Sequence, residues 1–119
     1  MKYIQRALEH RLSQAAYSYK TVLLTGPRQV GKSTLLKKMF PAYQYISLDD
    51  PFLEQQAKDN GGMFLMLNPP PVIIDAVQYA PELFRFIKIK CDESEQRGLF
   101  FLSGSQQFKL MKNVSETLS

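Results

Sequence analysis

The stretch T-V-L-L-T-G-P-R-Q-V-G-K-S-T, Thr21 to Thr34, decides the fold. Thr21 to Thr25 is short, apolar and rich in β-branched residues, and Gly26-Pro27 closes it, so it reads as a buried strand. From Lys32 to Phe40 the pattern turns helical, with Leu35, Leu36 and Met39 on one side, until Pro41 stops it. Between them, G-P-R-Q-V-G-K-S fits the spacing G-x-x-x-x-G-K-[ST]. At ordinary residue frequencies a chance match in a chain this long is about 0.4%. Strand, glycine loop and helix follow in the order that aims backbone N–H groups and a helix N-terminus at a phosphate chain.

The residue types assign the roles. Gly26 and Gly31 allow backbone angles and a close phosphate approach that a side chain would block. Lys32 supplies a point charge for the β- and γ-phosphates, Ser33 offers a hydroxyl to Mg²⁺, and Thr34 is placed for the α-phosphate. Arg28 has two readings, a phosphate or subunit contact and an ordinary exposed loop arginine. The bland reading of the whole stretch is a glycine turn that caps a helix.

Working outward, Ile4, Leu8, Leu12, Ala15 or Ala16 and Tyr19 recur at helical spacing, so residues 3–18 form an amphipathic packing helix. Tyr43 to Leu48 alternates as a second strand. Asp49-Asp50-Pro51 then reads as a helix start, with Asp50 capping and Pro51 at the first helical position, and capping explains both aspartates better than metal binding. That helix runs through Lys58 to Asn60-Gly61-Gly62, and a short helix covers Met63 to Leu67. The prolines at 69–71 deliver a third strand, Val72 to Asp75. Pro81 opens a helix with Leu83, Phe84, Ile87 and Cys91 on one face, although its I-K-I-K segment also alternates like a strand. Leu99 to Ser103 is a fourth strand. Phe108, Met111, Val114 or Ser115 and Leu118 predict a last helix at the end of the chain.

Asp75 ends an apolar strand, where a Mg²⁺-organising acid belongs in a phosphate site. Ala76 follows it, and a methyl group can neither polarise nor deprotonate a water. Tyr43, Phe84, Phe100 and Phe101 fall on apolar faces and are expected in the core.

Composition narrows the classes. The chain has 119 residues, one domain at most, able to bury about two-thirds of its unfolded surface. A net charge of +4 comes from 15 Lys and Arg against 11 Asp and Glu, scattered without a basic block, which reads as a solvated surface rather than a nucleic-acid footprint. One Cys and one His exclude an internal disulfide and Cys- or His-based metal clusters. No apolar run reaches the roughly 18 residues of a membrane span, so a cytoplasmic location is the expectation.

Strands alternating with helices, each strand nearly uniformly apolar, predict a three-layer α/β/α domain with a mainly parallel sheet. No N-K-x-D or D-x-x-G stands where a guanine reader needs it, and no Arg-rich lid of a small-molecule kinase appears. What remains is the ATPases with a strand inserted between the phosphate-loop strand and the metal-acid strand, ending in a polar sensor. L-F-F-L-S-G-S, Leu99 to Ser105, fits that strand.

Together, L-L-T-G-P-R-Q-V-G-K-S-T-L-L, Y-I-S-L-D-D-P, V-I-I-D-A-V-Q-Y-A-P-E-L-F and L-S-G-S-Q-Q-F-K-L-M resemble the AAA-type P-loop ATPases of bacteria and archaea whose ATPase domain precedes a C-terminal domain of unknown function. The resemblance implies that Gly26, Pro27, Arg28, Gln29, Val30, Gly31, Lys32, Ser33 and Thr34 bind the phosphates of ATP. It further implies that Ser33 and Asp75 hold Mg²⁺, and that Ser103 or Ser105 senses the γ-phosphate. The family has a glutamate where this chain has Ala76, so ATP binding with poor hydrolysis is expected. A non-hydrolysing, nucleotide-dependent module contacting protein or nucleic acid is the alternative. In the family's strand order 5-1-4-3-2, this chain of residues 1–119 is expected to be an N-terminal piece that stops before the fifth strand. That would leave Thr21 to Thr25 as an open edge and lead to self-association.

Overall fold

The computed structural model describes residues 2–25, 31–104 and 116–118. The elements in chain order are helix α1 (Lys2–Ser18), strand β1 (Thr21–Thr25), α2 (Lys32–Met39), β2 (Gln44–Ser47), α3 (Pro51–Asp59), α4 (Gly61–Leu67), β3 (Val72–Asp75), a 3₁₀ turn (Val77–Tyr79), α5 (Leu83–Asp92), β4 (Phe100–Gly104) and β5 (Glu116–Leu118). The sheet order is β2-β3-β4-β1-β5, and every pairing is parallel. β4 is thus inserted between β1 and β3, as the sequence predicts.

Burial on both faces of the sheet explains why the strands are so uniformly apolar. Val22, Phe101, Ile73 and Tyr45 stand in register across four strands. The first three join Leu12 and Ala15 of α1 and Leu35 and Leu36 of α2 in one core, with Tyr45 packed against it. Displaced by one residue, Leu23, Leu102, Ile74 and Ile46 form the parallel row. This row faces the opposite way, onto Ala57 of α3, Phe64 and Leu65 of α4, and Leu83 and Ile87 of α5. Three layers result from the alternation of side chains along each strand.

Local chemistry starts and stops the elements. Asp50 Oδ1 accepts the amide of Phe52 at 2.9 Å, with Pro51 at the first helical position, so α3 begins where it is expected. Asn60 ends α3 and also caps α4, accepting the Met63 amide at 3.1 Å; α4 therefore starts at Gly61, two residues before the expected Met63. The I-K-I-K segment is helical, and its Ile87 and Cys91 turn to the core. Cys91 Sγ lies 3.0 Å from Thr21 Oγ1, and burial raises its thiol pKa. Of the aromatic residues assigned to the core, Phe100 and Phe101 are fully buried, Phe84 packs at the edge, and Tyr43 keeps its hydroxyl on the Gly98 carbonyl at 2.6 Å.

Two expectations about the end of the chain are overturned. Glu116 to Leu118 is a strand, so the helix predicted to run through Leu118 does not include these residues; residues 108–115 lie outside the described residues. The strand pairs Val22↔Glu116, Leu23↔Thr117 and Leu24↔Leu118, so a fifth strand is present beside β1. The expected open edge is covered at Val22, Leu23 and Leu24, and the argument for self-association through it loses its premise. Among the described residues no helix is long and apolar enough to cross a membrane.

Phe101 stacks on Phe40 with ring centroids 4.5 Å apart and is fully buried. Phe101→Ala is expected to destabilise the chain by about 3–5 kcal/mol. Phe52→Ala, at a side chain 69% exposed, should stay within about 0.5 kcal/mol of the parent. Urea unfolding of both variants reads the difference, and equal losses would contradict this core.

Candidate functional site

Strand alternation also builds the site. Tyr45, Asp75 and Ser103 belong to β2, β3 and β4, and their side chains meet near the carboxyl ends of the strands, where parallel α/β sheets bind ligands. The Asp75 carboxylate accepts three hydrogen bonds. Ser103 Oγ donates to Oδ1 at 2.5 Å, the Ala76 amide donates to the same oxygen at 2.8 Å, and the Tyr45 hydroxyl donates to Oδ2 at 2.7 Å. Three strands and a turn therefore fix the direction of one acidic side chain.

Against this edge stands the first turn of α2. Gly31 precedes the helix at φ 68°, a left-handed conformation that suits glycine, and its carbonyl accepts the Leu35 amide. Lys32 is buried, 7% exposed, and donates to the Gly104 carbonyl at 2.7 Å. Its ammonium is thereby held beside the end of β4. Lys32 and Ser33 line a cavity of about 170 Å³ together with Asp75, Ala76, Gly104, Asp49 and Gln78. This is a polar recess with a cation on one side and carboxylates on the other.

The structure brings Lys32, Ser33 and Asp75 to one cavity. Thr34 is exposed on the first turn of α2 and does not line the recess. Ser103 is fully buried and spends its hydroxyl on Asp75, so it touches the recess through that carboxylate. Gly26, Pro27, Arg28, Gln29, Val30 and Ser105 lie outside the described residues.

Three lining or supporting residues escaped the sequence reading. Tyr45 looked like one position of an alternating strand, and only the register with β3 reveals its bond to Asp75. Asp49 was assigned to capping together with Asp50; the Phe52 amide caps on Asp50, and Asp49 lines the cavity. Gln78 sits in the 3₁₀ turn after β3, a turn the strand and helix periods gave no sign of. Its Oε1 is buried with no hydrogen-bond partner among the described residues.

The donor set bears on Mg²⁺. Among the described residues no three His, Cys, Asp or Glu side chains converge into a metal cage. The hydroxyl of Ser33 and the carboxylates of Asp75 and Asp49 on the same recess instead suit an ion that keeps several waters and takes phosphate oxygens as ligands.

A family model described as "AAA domain" matches residues 18–119. Similar curated proteins include an uncharacterized protein of Mycobacterium bovis and one of Mycobacterium tuberculosis, each 29% identical over 110 residues. That match covers 92% of this chain and 25% of each relative, so the chain spans about a quarter of their length.

Tyr45 provides a test of the geometry. Its pKa is pushed up from 10.0 to about 12, first by burial, then by the hydrogen bond to Asp75 and the carboxylate's charge, while the Ser33 and Ser47 hydroxyls pull it down. Folding thus tightens the hold on the phenolic proton. The associated stability is fully present below pH 10 and is lost as pH rises through about 12. Urea midpoints between pH 9 and 11.5 should therefore fall more steeply for the parent than for Tyr45→Phe. Parallel declines would mean that Tyr45 does not hold Asp75.

Proposed function

The chain belongs to the family of AAA-type P-loop ATPases, and we propose on that premise that its recess binds the phosphates of Mg²⁺-ATP and hydrolyses ATP slowly. The observation that carries this reading is the convergence of Lys32, Ser33 and Asp75 on one cavity at the carboxyl end of a parallel sheet. Lys32 is positioned to exchange its bond with the Gly104 carbonyl for the β- and γ-phosphate oxygens. Ser33 and Asp75 are the residues that would hold Mg²⁺, with Tyr45 and Ser103 fixing the carboxylate from behind. When bound, that ion neutralises charge on the phosphates.

Slow turnover follows from Ala76. It lines the recess directly after Asp75, where it presents only a methyl group to an attacking water. Absence of a positioned base costs about 10² to 10⁴ in rate. The same observation supports a second reading, in which bound ATP sets the shape of the domain and controls a protein or nucleic-acid partner without turnover.

Calorimetric titration of Mg²⁺-ATP should give one site per chain, and Lys32→Ala, checked for folding by circular dichroism, should abolish the heat. Ala76→Glu should raise the ATPase rate by about 10². Binding that survives Lys32→Ala overturns the phosphate site. Equal rates with and without the glutamate overturn the missing-base account.

A further inference from the structure

We propose that Tyr45 is the positioning residue of the cation site: its phenol links Ser33 to Asp75 and thereby sets how strongly Mg²⁺ tightens the binding of ATP. The proposal rests on the Mg²⁺-ATP reading above.

The first argument is the acceptor capacity of Asp75. A carboxylate has about four acceptor positions, shared between its two oxygens. Oδ1 already takes two hydrogen bonds, from Ser103 Oγ and from the Ala76 amide. Among the described residues Oδ2 accepts from Tyr45, at 2.7 Å, and keeps one position open. Oδ2 is therefore the oxygen left for a cation or a water bound to it, and Tyr45 is the donor that orients it. Ser103 and Ala76 hold the other oxygen.

The second argument is that Tyr45 reaches Ser33 as well. Its ring packs against the core that contains Leu35 and Leu36 of α2, and the Lys37 ammonium lies 4.3 Å from the ring centroid. Ser33 stands about one helical turn before Lys37, and its hydroxyl is near enough to the phenol oxygen to lower its pKa by hydrogen bonding. One side chain of β2 thus meets α2 at successive turns and β3 at Asp75.

A hydroxyl that turns a lone pair toward a cation needs an acceptor for its hydrogen. The phenol oxygen is such an acceptor beside Ser33, and the phenol's own hydrogen goes to Asp75. The hydrogens then run in one direction, from Ser33 to Tyr45 to Asp75. Both Ser33 Oγ and Asp75 Oδ2 keep a lone pair for the recess. Ser33 and Asp75 line that recess and Tyr45 does not, so the phenol acts through the two residues and its removal leaves the lining side chains in place. Partners of this kind behind metal ligands typically set about 10- to 100-fold of metal affinity.

The test measures ATP affinity of the full-length protein by calorimetry, once in excess EDTA and once in saturating Mg²⁺. The ratio of the two affinities is the factor by which Mg²⁺ tightens ATP binding. Tyr45→Phe keeps the ring and removes the hydroxyl; it should lower this ratio by about tenfold or more, while ATP affinity in EDTA stays within about twofold of the parent. Lys37→Met removes the charge over the ring and leaves the hydroxyl, and it should hold the ratio within about twofold. An unchanged ratio in Tyr45→Phe, an equal weakening in EDTA and in Mg²⁺, or a loss in Lys37→Met as large as that in Tyr45→Phe each overturns the role of Tyr45. A parent that binds ATP equally well in EDTA and in Mg²⁺ overturns instead the cation reading on which the proposal rests, and a parent that binds no ATP overturns the phosphate site itself.

Discussion

The carboxylate of Asp75 is the point through which the functional edge of this domain is tied together. Hydrogen bonds to ionised groups are the strong ones, and this carboxylate collects three, from β2, from β4 and from the turn that follows its own strand. The donors from β2 and β4 depend on the register of the sheet. A one-residue slip of β2 would turn Tyr45 to the opposite face and remove one of them. The hydrogen bonds therefore read out the strand pairing, and the two-sided core enforces it, because the same slip would take Ile46 off α3 and α4. Packing sets the register, and the register sets the site.

What was legible in the sequence follows from how local each determinant is. β1 and β3 were bounded to the residue because apolar, β-branched runs end abruptly, at Gly26-Pro27 on one side and between Pro71 and Asp75 on the other. The phosphate-loop helix and the Asp50 cap were legible for the same reason, since their signals lie within a few residues. β4 is displaced by one residue, to Phe100–Gly104, because Leu99 is as apolar as its neighbours and the boundary is set by pairing with β1 and β3. The 3₁₀ turn was not legible. It is shorter than either period, and Ala76, at φ 58°, begins it in a conformation that its residue type does not announce.

The end of the chain shows the opposite failure, a periodic signal overruled by its surroundings. The apolar spacing from Phe108 to Leu118 satisfies a helix, yet Glu116, Thr117 and Leu118 lie extended beside β1. Three residues are too few to establish a period of two, and Thr117 is the only β-branched residue among them. The backbone N–H and C=O groups of β1 supply what sequence reading could not see, because an edge strand in a parallel sheet is a template for whatever segment reaches it. Site residues were missed for a related reason. Tyr45, Asp49 and Gln78 stand in the stretches Tyr45 to Pro51 and Val72 to Phe84, which gave them no site role, and they come to the side of Asp75 only once the strands are aligned.

That dependence also explains how a site can lose one group and keep its shape. Ala76 takes part in the geometry through its backbone amide, which donates to Asp75 whatever the side chain is. A glutamate-to-alanine difference at this position removes chemistry without removing a structural bond. Lys32 on the Gly104 carbonyl and Asp75 on its three donors are each held by partners that do not involve the position 76 side chain. In the proposed function, binding and turnover are thus separable at a single methyl group.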